Sequence, residues 1–261
     1  MKRNLYYHQV YRRQNKLKLF IIHFFLGISS LPRLLIEVFT RTRFGERYYS
    51  FAAVVTISVI LFFMPFLSSQ LSLLNPYSYH NYDDDGFFTT IAKNITWYIY
   101  LAAFFYFSLK RKKEVDRLLS VFDFARFSLS TGVIHPKLLE FNIGKKTGDH
   151  RFASTVIEPG IFLIAGILLV LAHQMLGKLF IFVSIVYSLS WVGAYHLGDE
   201  FVMDTIDEMI CNEEMVESFV EGKPIEDTRG FEMHCRKPND PSFRRQVVDQ
   251  MVGDDEASEA F

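Results

Sequence analysis

The sequence predicts an all-α, polytopic membrane protein: about four transmembrane helices, an N-terminal interfacial helix and a cytoplasmic C-terminal helical stalk. Three observations predict it. The hydrophobic residues, 50% of the 261, gather in blocks, and a helix needs roughly 20 apolar residues to cross the hydrocarbon core. The basic residues fall between alternate blocks. The net charge of −1 also conceals a division: residues 1–155 hold 21 Lys and Arg against 10 Asp and Glu, and residues 156–261 hold 7 against 19. Such asymmetry bears on partners even when the total is near zero.

Residues 1–50 form a basic region. Its apolar run, Leu19 to Leu31, stops at Pro32 with Lys18 before it and Arg33, Arg41, Arg43 and Arg47 after it. The run is too short to span, and the basic flank behind it argues against a signal peptide opening at Met1-Lys2-Arg3. An interfacial helix on the inner surface fits better. The stretch from Pro32-Arg33-Leu34-Leu35-Ile36-Glu37 to Phe44-Gly45-Glu46-Arg47-Tyr48-Tyr49 reads as a signature, with no chemistry that its residues alone assign.

Residues 51–109 hold the first two spans. Phe51 to Leu74 contains no charge; Phe87 to Leu109 is aromatic-rich and interrupted only by Lys93 and Asn94. Residues 110–155 follow as a cytoplasmic piece anchored by Arg111-Lys112-Lys113. There Val115, Leu118, Leu119, Phe122, Ala125 and Leu129 recur at helical spacing, which predicts an amphipathic helix over Glu114–Ser130 ended by Gly132. A basic loop runs from His135 to Arg151. Residues 156–197 are a hairpin of spans three (Val156 to Ala172) and four (Leu179 to Leu197), joined by a short link.

Residues 198–224 read as an acidic helix. Its Val202, Ile206, Met209, Val216 and Val220 follow 4–3 spacing, with Glu213 at the missing position, and Gly222 and Pro224 stop it. Residues 225–261, with several prolines and an acidic end, read as a flexible tail. Orientation follows from the cations. Placing 1–50, 110–151 and 198–261 inside, with both termini cytoplasmic, keeps 26 of the 28 Lys and Arg on that side. The loop from Asn75 to Gly86, with Asp83-Asp84-Asp85 and no cation, then lies outside.

Catalysis is not indicated. There is no nucleophile elbow, no phosphate-cradling Gly-rich loop and no His-Glu-x-x-His. His196, Glu200 and Asp204 share a helix face with Asp199 nearby, but the plain reading is the solvated start of a helix. His234-Cys235 with the distant Cys211 falls short of a zinc set. Two cysteines give no disulfide framework, in keeping with a reducing compartment. No metal and no cofactor are called for.

Polar residues within the spans are the candidates for function, because they are costly in lipid unless they face protein or water. Thr90, Asn94 and Tyr98 lie at i, i+4, i+8 with Lys93 beside them; Ser184 and Ser188 share a face of the fourth span. These six are pore-lining candidates, the plain alternative being helix packing and backbone bonding. Lys137, Lys145, Lys146, His150 and Arg151 lie in one loop and are candidates for an anionic cytosolic ligand, a nucleotide or nucleic acid; contact with anionic lipid or with the acidic stalk is the plainer use of such cations. Glu158 and Pro159 open the third span. A cap or ion pair is the ordinary role there; gating is the sharper one.

The whole reads as a homo-oligomeric channel or pore in a bacterial inner membrane, an effector opened by a cytosolic signal. The other reading is a non-enzymatic membrane subunit of a secretion or conjugation assembly, docking partner proteins through its acidic C-terminal region.

Overall fold

A computed structural model of the chain describes residues 3–11, 16–73, 87–140 and 149–253. The protein is mostly helical. Helix α1 is Lys16–Thr40, α2 Phe51–Leu73, α3 Phe87–Lys93, α4 Ile95–Arg117, α5 Pro136–Leu139 and α6 His150–Phe152. A π-helical turn, Ala153–Ile157, carries α6 into α7, Glu158–Leu171; α8 is Met175–Met215, ending in a second π-helical turn, and α9 is Pro241–Met251. Two short antiparallel ladders pair β1 (Arg3–Asn4) with β4 (Val252–Gly253) and β2 (Arg41–Thr42) with β3 (Val133–Ile134). Among the described residues, three helices are long and apolar enough to cross a membrane: Lys16–Thr40, His150–Leu171 and Met175–Glu221; the Phe51–Leu67 part of α2 is a shorter apolar helix.

Residues 22–194 make one compact unit. Two antiparallel hairpins build it. In the first, the Trp97 indole N–H donates to the Leu61 carbonyl at 2.8 Å and the Tyr49 hydroxyl to the Ser108 carbonyl at 2.6 Å, so α4 runs back along α2. In the second, the Ser188 hydroxyl donates to the Thr155 carbonyl at 2.7 Å, and α8 approaches α7 so closely that a Cβ on Gly177 would lie 2.6 Å from the Gly166 carbonyl oxygen. Small residues at such a crossing let two backbones meet. Leu34, Leu35, Ile36 and Val38 of α1 are buried, as are Val54, Ile57, Leu61, Trp97, Leu101 and Phe104 of the first hairpin.

Residues 1–21 and 195–261 make the other unit. Buried Asn4 fixes the N-terminal segment: its backbone N–H donates to Glu208 at 2.7 Å, its side-chain amide to Asn212 at 2.6 Å, and its carbonyl oxygen accepts from the Tyr7 N–H at 2.9 Å. Tyr7, Cys211, Met215, Phe219, Phe231, Met233 and Val248 form its core. Burial, with Asp204, Asp207 and Glu208 adding to it, pushes the Tyr7 hydroxyl up to about 12; burial likewise takes Tyr11 to about 12. An unfolded tyrosine titrates near ~10. The stability carried by these neutral hydroxyls is therefore complete below about pH 10 and lost as pH rises through about 12. Circular dichroism against pH should show an alkaline transition in that window, weakened in Tyr7→Phe with Tyr11→Phe.

Four sequence expectations are corrected. Pro32 does not stop the N-terminal helix, which runs on to Thr40. Continuing past a proline forfeits one backbone bond, whereas a helix end in apolar surroundings would strand several. The second span is broken: Asn94, with φ −112° and ψ 36°, separates α3 from α4. The amphipathic helix over Glu114–Ser130 is absent. Leu118 turns extended after Arg117, and the Gly45 and Arg47 N–H groups bond the Ser130 and Ser128 carbonyls at 2.8 and 3.0 Å, so that backbone serves a loop–loop pairing. Finally, the expected flexible tail is folded over residues 225–253. Phe231, Met233 and Val248 reach the unit's core, which repays the ordering of that segment.

Candidate functional site: a buried ionic network

Arg33 and Glu37, four residues apart, lie on one face of α1, and Arg41 follows the last residue of that helix, at the start of β2. Arg41 and Glu158 form a buried ion pair, their side chains 2% and 0% exposed. The Arg41 Nε lies 3.0 and 3.1 Å from the two Glu158 oxygens, and Nη2 donates to Oε2 as well. The Tyr187 hydroxyl of α8 donates to the same Oε2 at 2.7 Å. One carboxylate of α7 thereby joins β2, directly after α1, to α8.

Beside it, the Tyr48 hydroxyl donates to Glu37 Oε2 at 2.7 Å. Glu37 is fully buried, and its Oε1 has no hydrogen-bond partner among the described residues. The Arg33 Nε donates to the Ser190 hydroxyl at 2.8 Å, which donates on to the Tyr187 carbonyl at 2.7 Å. Both guanidinium carbons, of Arg33 and Arg41, lie 4.5 Å from the centre of the Trp191 ring, within cation–π range. Two cations and two carboxylates thus share a water-poor cluster of zero formal charge.

Such a cluster is not an economical way to hold helices together. Desolvating a carboxylate or guanidinium costs several kcal/mol each, and well-packed apolar residues often do as well or better. What a cluster of this kind does supply is a discrete arrangement: bonded it is stable, and separated it leaves bare charges. Its position adds to this. Glu158 follows directly on the π-helical turn Ala153–Ile157, and π-turns within helices are frequent at functional sites. Asp149 caps α6 by accepting the Arg151 N–H at 2.9 Å, and the Ser154 hydroxyl donates back to the His150 carbonyl at 2.9 Å. His150 and Arg151 are therefore joined to Glu158 by α6 and the π-helical turn alone.

The other sequence candidates lie in different settings. Thr90 is buried and Lys93 exposed. The Asn94 side-chain amide donates to the Thr90 carbonyl at 3.0 Å and the Tyr98 hydroxyl to the Phe62 carbonyl at 3.2 Å. Ser184 is buried, its hydroxyl without a hydrogen-bond partner among the described residues. Lys137, His150 and Arg151 are exposed, while Lys145 and Lys146 lie outside the described residues. Glu158 and Pro159 are both buried. Sequence reading missed Arg33, Glu37, Arg41 and Tyr48 as site residues, taking the two arginines for surface cations. The four-residue spacing of Arg33, Glu37 and Arg41 was the available signal.

No protein-family model, curated protein or solved structure matches the chain.

Proposed function

We propose that this chain is a multi-pass membrane protein acting as a homo-oligomeric channel or pore, in which the Arg41–Glu158 network is the gate that a cytosolic anionic ligand releases. The observation that carries the reading is the burial of a paired Arg and Glu among apolar helices, with exposed His150 and Arg151 at the start of the helical segment that leads into Glu158. Charges taken out of water at the end of a span are costly unless paired, which makes such a pair a candidate switch.

Chain parity supports four crossings. Two crossings, α2 and then α3 with α4, separate Arg41 from Val133, and their strands pair directly. Two more, α7 and α8, separate Ile134 from Glu208, which bonds Asn4. With four crossings the N-terminal segment and residues 199–253, which Asn4 and Glu208 tie together, lie on one membrane face. Cation placement makes that face cytoplasmic. Assembly of copies is supported by the exposed side chains of Val202, Ile206 and Met209 on α8, an apolar stripe with coiled-coil spacing. Val216 and Val220, the later positions of the same repeat, pack inward on their own unit.

Reconstituted into liposomes, the purified protein should pass ions, and nucleotides or short oligonucleotides should raise the flux. Glu158→Gln weakens the pair without removing its shape and should raise basal flux about tenfold, the scale of ordinary coupling energies. The same exposed stripe also suits a foreign helix, so the second reading remains a docking subunit of a larger assembly. Absence of flux under every condition, with stoichiometric co-purification of neighbours, would establish that reading instead.

A further inference from the structure

The loop that replaces the expected amphipathic helix is unusual in what it exposes. Leu119 is 70% exposed, Phe122 84%, Phe124 98% and Phe127 71%. Water-facing loops seldom display four large apolar side chains within nine residues, and such patches mark interaction sites. Nor is the loop slack. Its far end is clamped to residues 45–47 by two backbone hydrogen bonds, and a Cβ on Gly45 would lie 2.2 Å from the Ser128 carbonyl oxygen. At the tip, Phe124 holds φ 53°, a left-handed conformation that costs a bulky residue energy and persists where the surroundings impose it.

We infer that residues 119–127 form an aromatic finger that dips into the cytoplasmic leaflet and seats an anionic phospholipid headgroup at its base. Two observations select lipid as the occupant. The finger continues the outer surface of α4, where Tyr106 and Leu109 are also exposed, and the end of α4 between them carries exposed Lys110, Lys112, Lys113 and Arg117 against exposed Asp116, with Asp123 the one exposed acid on the finger itself. Apolar surface, then cations, then apolar surface is the profile of a leaflet boundary. At the finger's base, a groove of about 380 Å³ is lined by Glu46, Arg47, Phe122, Arg126 and Phe127. The Arg126 Nη2 reaches Glu46 at 3.3 Å and the Val115 carbonyl at 3.5 Å, so the groove's one carboxylate already has a cation beside it. Arg47 is exposed and lines the same groove, and a guanidinium fork matches two oxygens of a phosphodiester.

The inference rests on the membrane reading above, and one experiment separates the two. Nitroxide labels are placed singly at Phe124→Cys, Phe105→Cys and Phe243→Cys, with Cys211 and Cys235 replaced by serine, in nanodiscs of phosphatidylcholine with a quarter phosphatidylglycerol. Collision with oxygen and with a water-soluble nickel chelate is then measured. The label at position 124 should collide preferentially with oxygen, as at 105, with 243 favouring nickel, and Arg47→Gln should move 124 several-fold toward the nickel-accessible reading. If 105 reads lipid but 124 reads water, or if 124 shows broadening between copies, the finger is overturned while the membrane reading survives. If 105 itself reads water, both fall.

Discussion

Glu158→Ala should lower the stability of the helical unit by about 3–5 kcal/mol, because it leaves the Arg41 guanidinium buried without its counter-charge. The pair is almost wholly enclosed, and the Tyr187 hydroxyl loses its acceptor at the same time. Replacing both partners with apolar residues of similar length, Arg41→Met with Glu158→Leu, should cost far less, since no charge is then stranded. Thermal unfolding in detergent, followed by circular dichroism, compares the three forms. If the double variant proved as unstable as the single one, the network would be a structural brace, and its role as a two-state element would lose its physical basis. Should the double variant fold well yet lose its response to ligand, the cluster serves switching rather than stability.

Gly45→Ala is the second large effect. The added methyl would meet the Ser128 carbonyl oxygen at 2.2 Å, its carbon at 2.7 Å and the Ser130 nitrogen at 2.6 Å. All three are backbone atoms, so no side chain can swing aside. Either the Gly45–Ser130 and Arg47–Ser128 hydrogen bonds break or the 44–49 segment moves, and Phe44, fully buried, moves with it. Overpacking of this kind costs about 1–3 kcal/mol, with more expected where backbone bonds are lost. Limited proteolysis should show faster cleavage near Phe124 in the variant. An unchanged cleavage rate would mean that the clamp is not what holds the loop.

The long helices were legible in the sequence because twenty apolar residues in a row admit few alternatives. The Phe51 block and the hairpin around His173 needed nothing more than their hydropathy. The end of α1 was less legible: proline is a strong local stop, but local rules are overridden where an ended helix would strand its carbonyls in apolar surroundings. Leu118 to Leu129 misled for a related reason. Their periodicity was real, yet the backbone groups of Ser128 and Ser130 are taken by a segment some eighty residues earlier, and periodicity carries no information about distant pairing. The ionic network was half legible. Glu158 stood out at a helix start; its partner Arg41 did not, because a cation beside an apolar run reads equally well as a surface anchor. Only the fold sets Arg41, Glu158 and Tyr187 together.

The pairing of Arg3–Asn4 with Val252–Gly253, and the enclosure of Tyr7 by Phe231, Met233 and Val248, bears on the order of synthesis. Residues 3–11 are made long before their cover: Tyr7 meets Cys211, Met215 and Phe219 only once α8 is complete, and Val248 and the β4 strand partner only after α9. Until then Tyr6, Tyr7 and Tyr11 wait for their neighbours. A message truncated before α9 would therefore unsettle residues 3–11 as well as the segment that it removes.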